Sequence, residues 1–281
     1  MTFEKITSVQ NVFIKKVVHL RDRRARQKEG LTIVEGVREV QTAWQASERT
    51  AFERIYFCPE LFKDDYGLLK EFAASGVTVC ETTLNVFQKI TLGGDRQEGL
   101  LGVCRFPQTT LKSLKLGKDP LCVVVESVEK PGNLGAILRT CDGAKADALI
   151  VCGGLTEIYN PNTVRASLGA AFTVPAVAAT NEEALEFLRS QKIKIFATFP
   201  DTKNYYTNSS LAGPAAIILG SEQDGLSDFW SKNADEKIKI PLLGKVNSLN
   251  VAVCAAVVVY EAVRQRRTKR TDSLPLEGQV D

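Results

Sequence analysis

The sequence predicts an α/β protein made of two units in which short strands alternate with helices. Three observations support this class. Short apolar runs recur along the 281-residue chain, and segments whose apolar residues lie three or four positions apart separate them. A polar stretch containing Pro107, Gly117 and Pro120 divides this alternation. We therefore predict a first unit at 1–106, a linker at 107–119 and a second unit at 120–267.

The first unit begins with a basic stretch at 11–30, predicted to be a helix with Ile14, Val17 and Val18 on its apolar side. Strands are predicted for the short apolar segments that follow, at 31–34, 54–58, 77–80 and 100–106. Helices are predicted between them because apolar residues recur there at helical spacing, at 37–44, 60–75 and 83–90.

The second unit alternates in the same way, which favours a parallel sheet covered on both faces. Its predicted strands are 121–125, 148–152, 173–176, 193–198, 215–219 and 237–240. Its predicted helices are 133–145, 160–168, 182–191, 226–233 and 248–266. The last helix is apolar nearly all round, as is typical of a helix in the core or against another subunit. The tail, 268–281, is polar and is predicted to be disordered.

Charge and composition limit the classes of function. The net charge of +3 is too small to indicate a polyanionic partner, but basic residues cluster at 15–28 and 264–270. Each cluster alone is typical of a solvated helix face, whereas two of them favour a polyanion. The single histidine, His19, excludes metal sites and catalytic triads that depend on histidine.

The cysteine pattern indicates reduced, buried thiols. There are seven cysteines, no C-x-x-C pair is present, and most cysteines lie in apolar runs. We found no signal-peptide apolar region and no apolar run of membrane-spanning length. The expected protein is soluble and cytoplasmic.

Three glycine-bearing turns follow strands of the second unit, at 131–135, 220–225 and 243–250. Such loops gather at the carboxyl ends of parallel strands, where ligands bind. Simpler explanations exist for each turn, since Glu222 can complement a helix dipole and Ser248 or Asn250 can cap the last helix. None of the turns has the glycine pattern of a phosphate loop or a dinucleotide site, which counts against a nucleotide triphosphatase or a dehydrogenase.

Taken together, the three turns resemble the motifs of the SpoU (TrmH-like) RNA ribose 2′-O-methyltransferases. Residues 131–140, Pro-Gly-Asn-Leu-Gly-Ala-Ile-Leu-Arg-Thr, resemble the first motif. Residues 219–222 (Leu-Gly-Ser-Glu) with 225–227 (Gly-Leu-Ser) resemble the second. Residues 240–242 (Ile-Pro-Leu) with 248–251 (Ser-Leu-Asn-Val) resemble the third. The order and spacing agree as well.

The first half also resembles a part of this family. Lys15, Arg26 and residues 33–36 (Ile-Val-Glu-Gly) are similar to the substrate-binding domain that precedes the catalytic domain in many members. The resemblance implies a small α/β, ribosomal-protein-like RNA-binding domain followed by a SPOUT-type domain. That domain would have a mostly parallel sheet and a deep trefoil knot at its C-terminal end. Because knots are rare, periodicity alone would not suggest one.

The resemblance further implies S-adenosylmethionine as methyl donor, S-adenosylhomocysteine as product and no metal. The implied cofactor-binding residues lie at strand ends and on the second and third motif loops: Thr198, Leu219, Gly220, Glu222, Ile240, Leu242, Ser248 and Leu249. Family members are homodimers in which the first-motif arginine of one subunit reaches toward the cofactor site of the other. The implied RNA-binding residues are Lys15, Arg23, Arg26, Glu35 and Arg165.

The implied catalytic residues are Arg139, Asn133, Glu222, Asn250 and Ser248. A guanidinium is a poor base, so we expect Arg139 to position the ribose and its neighbouring phosphate, and base action stays open. Asn133 and Asn250 would orient the site, Glu222 would hold its loop or the surroundings of Arg139, and Ser248 would aid cofactor binding.

The chain departs from the family pattern at three positions: Lys130 replaces a common aspartate, Cys141 an alanine and Ala252 a serine. These differences bear on substrate detail more than on activity. The extra N-terminal domain favours rRNA as the substrate. Alternatives are a tRNA 2′-O-methyltransferase, or a non-catalytic RNA-binding protein that retains the fold.

Overall fold

A computed structural model describes residues 3–46, 48–63, 66–93, 98–221 and 223–269. The first unit contains a five-stranded sheet with the order β1-β4-β3-β5-β2. Its strands are β1 (Glu4–Ile6), β2 (Leu31–Glu35), β3 (Ala51–Phe57), β4 (Thr78–Thr82) and β5 (Leu100–Arg105). β5 runs antiparallel to β2 and β3, and the other neighbours are parallel.

Helices cover both faces of this sheet: α1 (Val12–His19), α2 (Arg23–Glu29), α3 (Val37–Gln45), α4 (Gly67–Ala74) and α5 (Leu84–Ile90). α1 and α5 pack on one face through residues such as Val17 and Phe87, and α3 and α4 pack on the other. The prediction of a single helix at 11–30 is wrong, because this stretch forms two helices, α1 and α2. It divides because the Asp22 side chain accepts a hydrogen bond from the Ala25 N–H and so caps α2.

The second unit is a six-stranded sheet with the order β11-β9-β10-β6-β7-β8, and every neighbouring pair is parallel. Its strands are β6 (Leu121–Glu126), β7 (Ala148–Cys152), β8 (Ala176–Ala179), β9 (Lys194–Thr198), β10 (Ala215–Leu219) and β11 (Glu236–Ile238). The predicted α/β class with mostly parallel sheets is therefore confirmed.

Two helical layers enclose this sheet: α6 (Pro131–Gly143), α7 (Pro161–Ala166), α8 (Ala170–Thr173), α9 (Asn181–Ser190), α10 (Asp228–Asn233) and α11 (Val251–Lys269). α9 and α10 lie on one face, while α6, α7, α8 and α11 lie on the other. The strand predicted at 173–176 was placed too early, because α8 precedes β8. Within the described residues, no helix is long and apolar enough to cross a membrane.

A glycine of the first motif allows two helices to approach closely. A Cβ added at Gly135 would lie 2.5 Å from the Ala166 Cβ, so α6 packs against α7 with no room for a side chain. α11 then packs across α6 and β10. These contacts fix the first-motif helix between the sheet and its neighbours.

The end of α11 is held by the side chain of Arg266. Its guanidinium donates hydrogen bonds to the carbonyls of Asp119, Pro120, Leu211 and Gly213, at 2.6–3.2 Å. This arginine of the predicted C-terminal basic cluster therefore serves the fold. Residues 268 and 269 belong to α11, and the rest of the predicted tail lies outside the described residues.

The two units share one continuous apolar core. The ring of Phe106 stacks on Tyr159 with centroids 4.7 Å apart, and the Thr32 hydroxyl donates to the Tyr159 carbonyl at 2.7 Å. Residues 107–119, the predicted linker, include a 3-10 turn at Leu111–Ser113, and Leu114 packs beside α9 of the second unit. All seven cysteines are free thiols, and six of them are buried.

Candidate active site

A cavity of about 670 Å³ lies where β9, β10 and β11 end and where the chain leads into α11. Loops gather there because the strands are parallel and share one carboxyl edge. The predicted cofactor residues that line it are Thr198, Leu219, Gly220, Ile240, Leu242, Ser248 and Leu249. Glu222, the remaining one, lies outside the described residues.

The loop after β10 folds back on itself tightly. The N–H of Ser221 donates to the Gly225 carbonyl at 3.1 Å, and the N–H of Gly225 donates to the Ser221 carbonyl at 3.2 Å. A Cβ added at Gly220 would lie only 2.1 Å from the carbonyl carbon of Gly225. The close approach of the two backbone segments therefore explains why glycine follows β10.

Both apolar and polar groups line the cavity. Leu219, Ile240, Leu242 and Leu249 are the aliphatic residues of the predicted set that line it. Such a lining suits a flat aromatic ring, and a few polar groups would orient a ligand. Polar lining also comes from residues outside the predicted cofactor set: Asp201, Tyr205, Ser221, Gln223, Asp224, Lys239, Asn247 and Cys254.

The positions of these additional residues follow simple rules. Asp201 and Tyr205 lie on the loop that follows β9 (Lys194–Thr198), so their place beyond a strand end was the available signal. Cys254 lies one helical turn beyond Asn250, on the first turns of α11. Burial raises the pKa of the Cys254 thiol, whose sulfur donates to the Leu249 carbonyl at 3.7 Å, so the group stays neutral at physiological pH.

The first and third motifs meet through two asparagines beside the cavity. The Asn250 Nδ2 donates to the Asn133 Oδ1 at 3.1 Å, while the Asn250 Oδ1 accepts from the Ala252 N–H at 2.9 Å and caps α11. The Nδ2 of Asn133 is buried, and it has no partner among the residues that the structure describes. Asn133 thus has an unused donor, and its side chain is held by Asn250, which follows the cavity-lining residues Ser248 and Leu249 in the chain.

Arg139 lies on the exposed side of α6, six residues beyond Asn133. At the rise of an α-helix this separation is about 9 Å along the axis. Arg139 does not line the cavity of its own chain, and within the described residues its guanidinium has no protein partner. Its side chain is therefore available to a second molecule.

A buried carboxylate, Glu126, connects the end of β6 to the second motif. It accepts hydrogen bonds from the N–H and hydroxyl of Ser227, at 2.8 and 2.7 Å, and from the Asn181 side chain at 2.5 Å. The indole of Trp230 donates to the same Asn181 at 3.1 Å. Glu126 belongs to none of the predicted site residues, although an acid at the end of an apolar strand was the visible signal.

Four of the five predicted RNA-binding residues make contacts within the protein. Arg26 is 2% exposed and donates to the carbonyls of Leu20 and Arg21 and to the Glu157 carboxylate. Glu35 is buried, where it accepts hydrogen bonds from the Thr91 hydroxyl and the Leu92 N–H.

The third of these residues, Arg165, joins the two units. Its guanidinium donates to the Gly93 carbonyl of the first unit at 2.6 Å. Burial and internal hydrogen bonds give Arg26 and Glu35 structural roles within the chain, and Arg165 makes an interdomain contact, while RNA binding by these residues stays a prediction. Arg23 is exposed and donates to the Gly154 carbonyl at 2.9 Å, while Lys15 is exposed on α1.

Two family models match the chain. The SpoU rRNA Methylase family model covers residues 120–260, and the MRM3-like substrate binding domain model covers residues 11–100. A 23S rRNA (uridine(2479)-2′-O)-methyltransferase of Streptomyces viridochromogenes is 31% identical over 191 residues, which cover 65% of this chain and 67% of that enzyme. The matched segment spans 61% of the length of two other relatives, RlmB enzymes of Pectobacterium atrosepticum and Pseudomonas putida.

Solved structures resemble most of the chain. An RNA 2′-O ribose methyltransferase is 33% identical with a TM-score of 0.81, and the match covers 94% of this chain and 99% of that one. An AdoMet-bound rRNA methyltransferase from Sinorhizobium meliloti is 25% identical with a TM-score of 0.84, over 93% of this chain and 98% of that one.

Proposed function

This chain belongs to the SpoU rRNA methylase family, and we propose that it transfers a methyl group from S-adenosylmethionine to a ribose 2′-hydroxyl of 23S rRNA. One observation carries the proposal: the second and third motifs line a single cavity, and Asn133 of the first motif is hydrogen-bonded at its side. The match of residues 11–100 to a substrate-binding domain favours rRNA over tRNA. Such a substrate would be met in the cytoplasm.

The cavity suits the proposed cofactor. Its volume of about 670 Å³ is in the range of small-molecule sites. The aliphatic side chains of Leu219, Ile240 and Leu249 would hold the adenine ring, while Asp201 and Asp224 offer carboxylates for hydroxyl or amino groups. Gly220, which the tight turn holds against the backbone of Gly225, also lines the cavity. When bound, S-adenosylmethionine supplies an electrophilic methyl group on a sulfonium.

The protein's contribution to the reaction is to position the RNA. A ribose hydroxyl must face the methyl group in line, and placement of this kind lowers the barrier substantially. We propose that Arg139 binds the ribose and its neighbouring phosphate, since a guanidinium forms paired hydrogen bonds with phosphate oxygens. The Asn133 Nδ2, which is buried and unpartnered in the described chain, is a further donor for the bound substrate or cofactor. Glu222 and Ser248 retain their proposed roles in holding the loop and the cofactor.

The exposure of Arg139 supports a homodimer. Because Arg139 lies away from the cavity of its own chain, a second copy would bring it to the reacting hydroxyl. An apolar outer side of α11 is available for such an interface, since Val253 and Tyr260 are 48% and 49% exposed. Leu243, on the loop that leads to α11, is a further apolar residue with a largely exposed side chain (98%).

We also propose the domain limits and the knot as features of this chain. Residues 1–106 would bind the RNA, 107–119 would link the units, 120–267 would catalyse transfer, and 268–281 would form a tail. The return of α11 from the cavity edge to pack on α6 and β10 is compatible with a C-terminal trefoil knot. The knot would keep the cofactor loops close together without a ligand.

Replacing Arg139 tests the proposed function. Arg139→Ala should reduce methyl transfer to rRNA by about 100-fold or more, because ribose placement is lost. The affinity for S-adenosylmethionine should change by less than about twofold, since Arg139 does not line the cavity. Arg139→Lys, which keeps the charge but not the planar fork, should recover only part of the activity. Unchanged transfer by the alanine variant would remove Arg139 from the mechanism.

A further inference from the structure

A second open site lies on the first unit, between α1 and α5. It is a groove of about 540 Å³, a volume in the range of small-molecule sites. The half-buried side chains of Val9 and Val18 form its apolar floor. α1 and α5 cover the sheet face opposite to α3 and α4, so the groove is distinct from the cofactor cavity.

Exposed polar side chains surround this floor: Gln10, Lys15, Asn85, Gln88 and Lys89. Among the residues that the structure describes, none of these five side chains has a protein partner. The groove therefore has two cations and three amides, and no carboxylate lines it.

The absence of neutralising partners distinguishes these lysines from their neighbours. Lys16, beside Lys15 on α1, is paired with Glu29 and Glu53 at 3.3 and 3.2 Å, and Lys5 is paired with Glu81. The charges of Lys15 and Lys89 are left for a ligand.

The positions of the two helices are fixed by the protein. Arg21, which follows α1, donates to the carbonyls of Lys89 and Thr91 at 2.9 and 2.6 Å and so ties the end of α5 to α1. Buried residues of both helices, Ile14 and Val17 with Phe87, pack beneath the groove. The five polar side chains thus project from a rigid base.

This combination fits single-stranded RNA. Lysines bind phosphates, amide side chains form paired hydrogen bonds with base edges and with the 2′-hydroxyl, and an apolar floor accepts the face of an unstacked base. A double helix would not bring base edges into such a groove. A peptide would leave the lysines unneutralised unless it were acidic.

We propose that the groove between α1 and α5 binds a single-stranded segment of the rRNA substrate, with Lys15 and Lys89 on its phosphates and Asn85 and Gln88 on its bases. This rests on the proposed function only in naming the substrate as the source of the RNA. The groove lies on the face of the first unit that points away from the catalytic domain. RNA binding there would therefore add to the contacts at the modified ribose.

The test compares two double variants of the full chain with equal loss of charge. Lys15→Gln with Lys89→Gln removes both groove cations, and Lys63→Gln with Lys70→Gln removes two exposed lysines that lie outside the groove and outside the basic cluster at 15–28. The probe is a labelled single-stranded oligoribonucleotide of about 12 nucleotides and mixed sequence. Binding is measured from about 0.05 to 0.5 M monovalent salt.

The expected loss follows from counterion release. Each phosphate contact on a single strand contributes a salt slope of about 0.7, so at about 0.1 M salt it is worth about fivefold in affinity. The groove variant should bind about 25-fold more weakly, with a slope lower by about 1.4, while the control variant stays within about twofold of the original protein. Asn85→Ala with Gln88→Ala should lower affinity without changing the slope.

Several results would overturn the proposal. Equal binding by the groove and control variants would show that the lysines act only through net charge. A groove-dependent preference for duplex RNA or for an acidic peptide would give the groove another occupant. If the original protein binds the oligonucleotide through the groove but methylates no rRNA, the proposed function fails and the groove stands. If the original protein methylates rRNA but the groove variants bind the oligonucleotide as tightly as it does, the proposed function stands and the groove proposal fails.

Discussion

Gly220→Ala tests the cofactor cavity through the backbone alone. The added Cβ would lie 2.1 Å from the carbonyl carbon of Gly225 and 2.3 Å from the Leu226 nitrogen, whereas ordinary contacts begin at 3.4 Å. The facing backbone must therefore move by about 1.3 Å, since no flexible side chain can give way. This movement would displace the loop that follows β10 and that lines the cavity.

The cost of such overpacking is about 1–3 kcal/mol. If this free energy is lost from the loop conformation that binds the cofactor, S-adenosylmethionine should bind about 5–150-fold more weakly. Isothermal titration calorimetry on the purified variant gives this affinity directly. Far-UV circular dichroism should show that the fold is retained.

Gly244→Ala is the matched control. Gly244 lies in the loop that contributes Leu243 and Asn247 to the same cavity, but a Cβ there meets no atom within 4 Å. Its affinity for S-adenosylmethionine should stay within about twofold of the original. Equal affinities for the Gly220 and Gly244 variants would refute the assignment of the cavity.

Two further changes probe the domain and subunit contacts. Glu157→Ala leaves Arg26, whose side chain is 3% exposed, with its carbonyl acceptors only, so the free energy of unfolding should fall by about 3 kcal/mol in urea titrations. An unchanged midpoint would contradict this pairing. Val253→Asp should convert the proposed dimer to a monomer in sedimentation experiments, because it places a charge on the outer side of α11. Val12→Asp, at a 69% exposed valine of α1, should leave the mass unchanged, and a persistent Val253→Asp dimer would move the interface elsewhere.

The positions of the cavity residues were predictable because they depend on local order along the chain. A buried parallel strand brings the residues that follow it to one edge, so Leu219 and Gly220 had to lie near Ile240 and Leu242. The motif resemblance then distinguished these loops from ordinary turns. Asp201 and Tyr205 follow β9 by the same rule, but they belong to no motif.

The roles of charged residues were less predictable. Arg26 and Glu35 have the same side chains as exposed RNA-binding residues, and only the folded chain brings Glu157 to Arg26 and Thr91 to Glu35. These partners are far apart in the sequence, so patterns among neighbouring residues cannot predict that they pair. The division of the first predicted helix has a different cause. Asp22 caps α2 through a hydrogen bond to a residue only three positions away, but the surrounding sequence favours a continuous helix and hides this signal.

The central claim is that the methyl group goes to a ribose 2′-hydroxyl of rRNA. Purified protein is incubated with methyl-tritiated S-adenosylmethionine and 23S rRNA from cells that lack the protein, and the RNA is digested to nucleosides. We predict that the label elutes with a 2′-O-methylnucleoside and that the methyl group blocks alkaline cleavage at the next phosphate, with incorporation by Arg139→Ala lower by about 100-fold or more. Label on a base, or undiminished transfer by Arg139→Ala, would contradict the account.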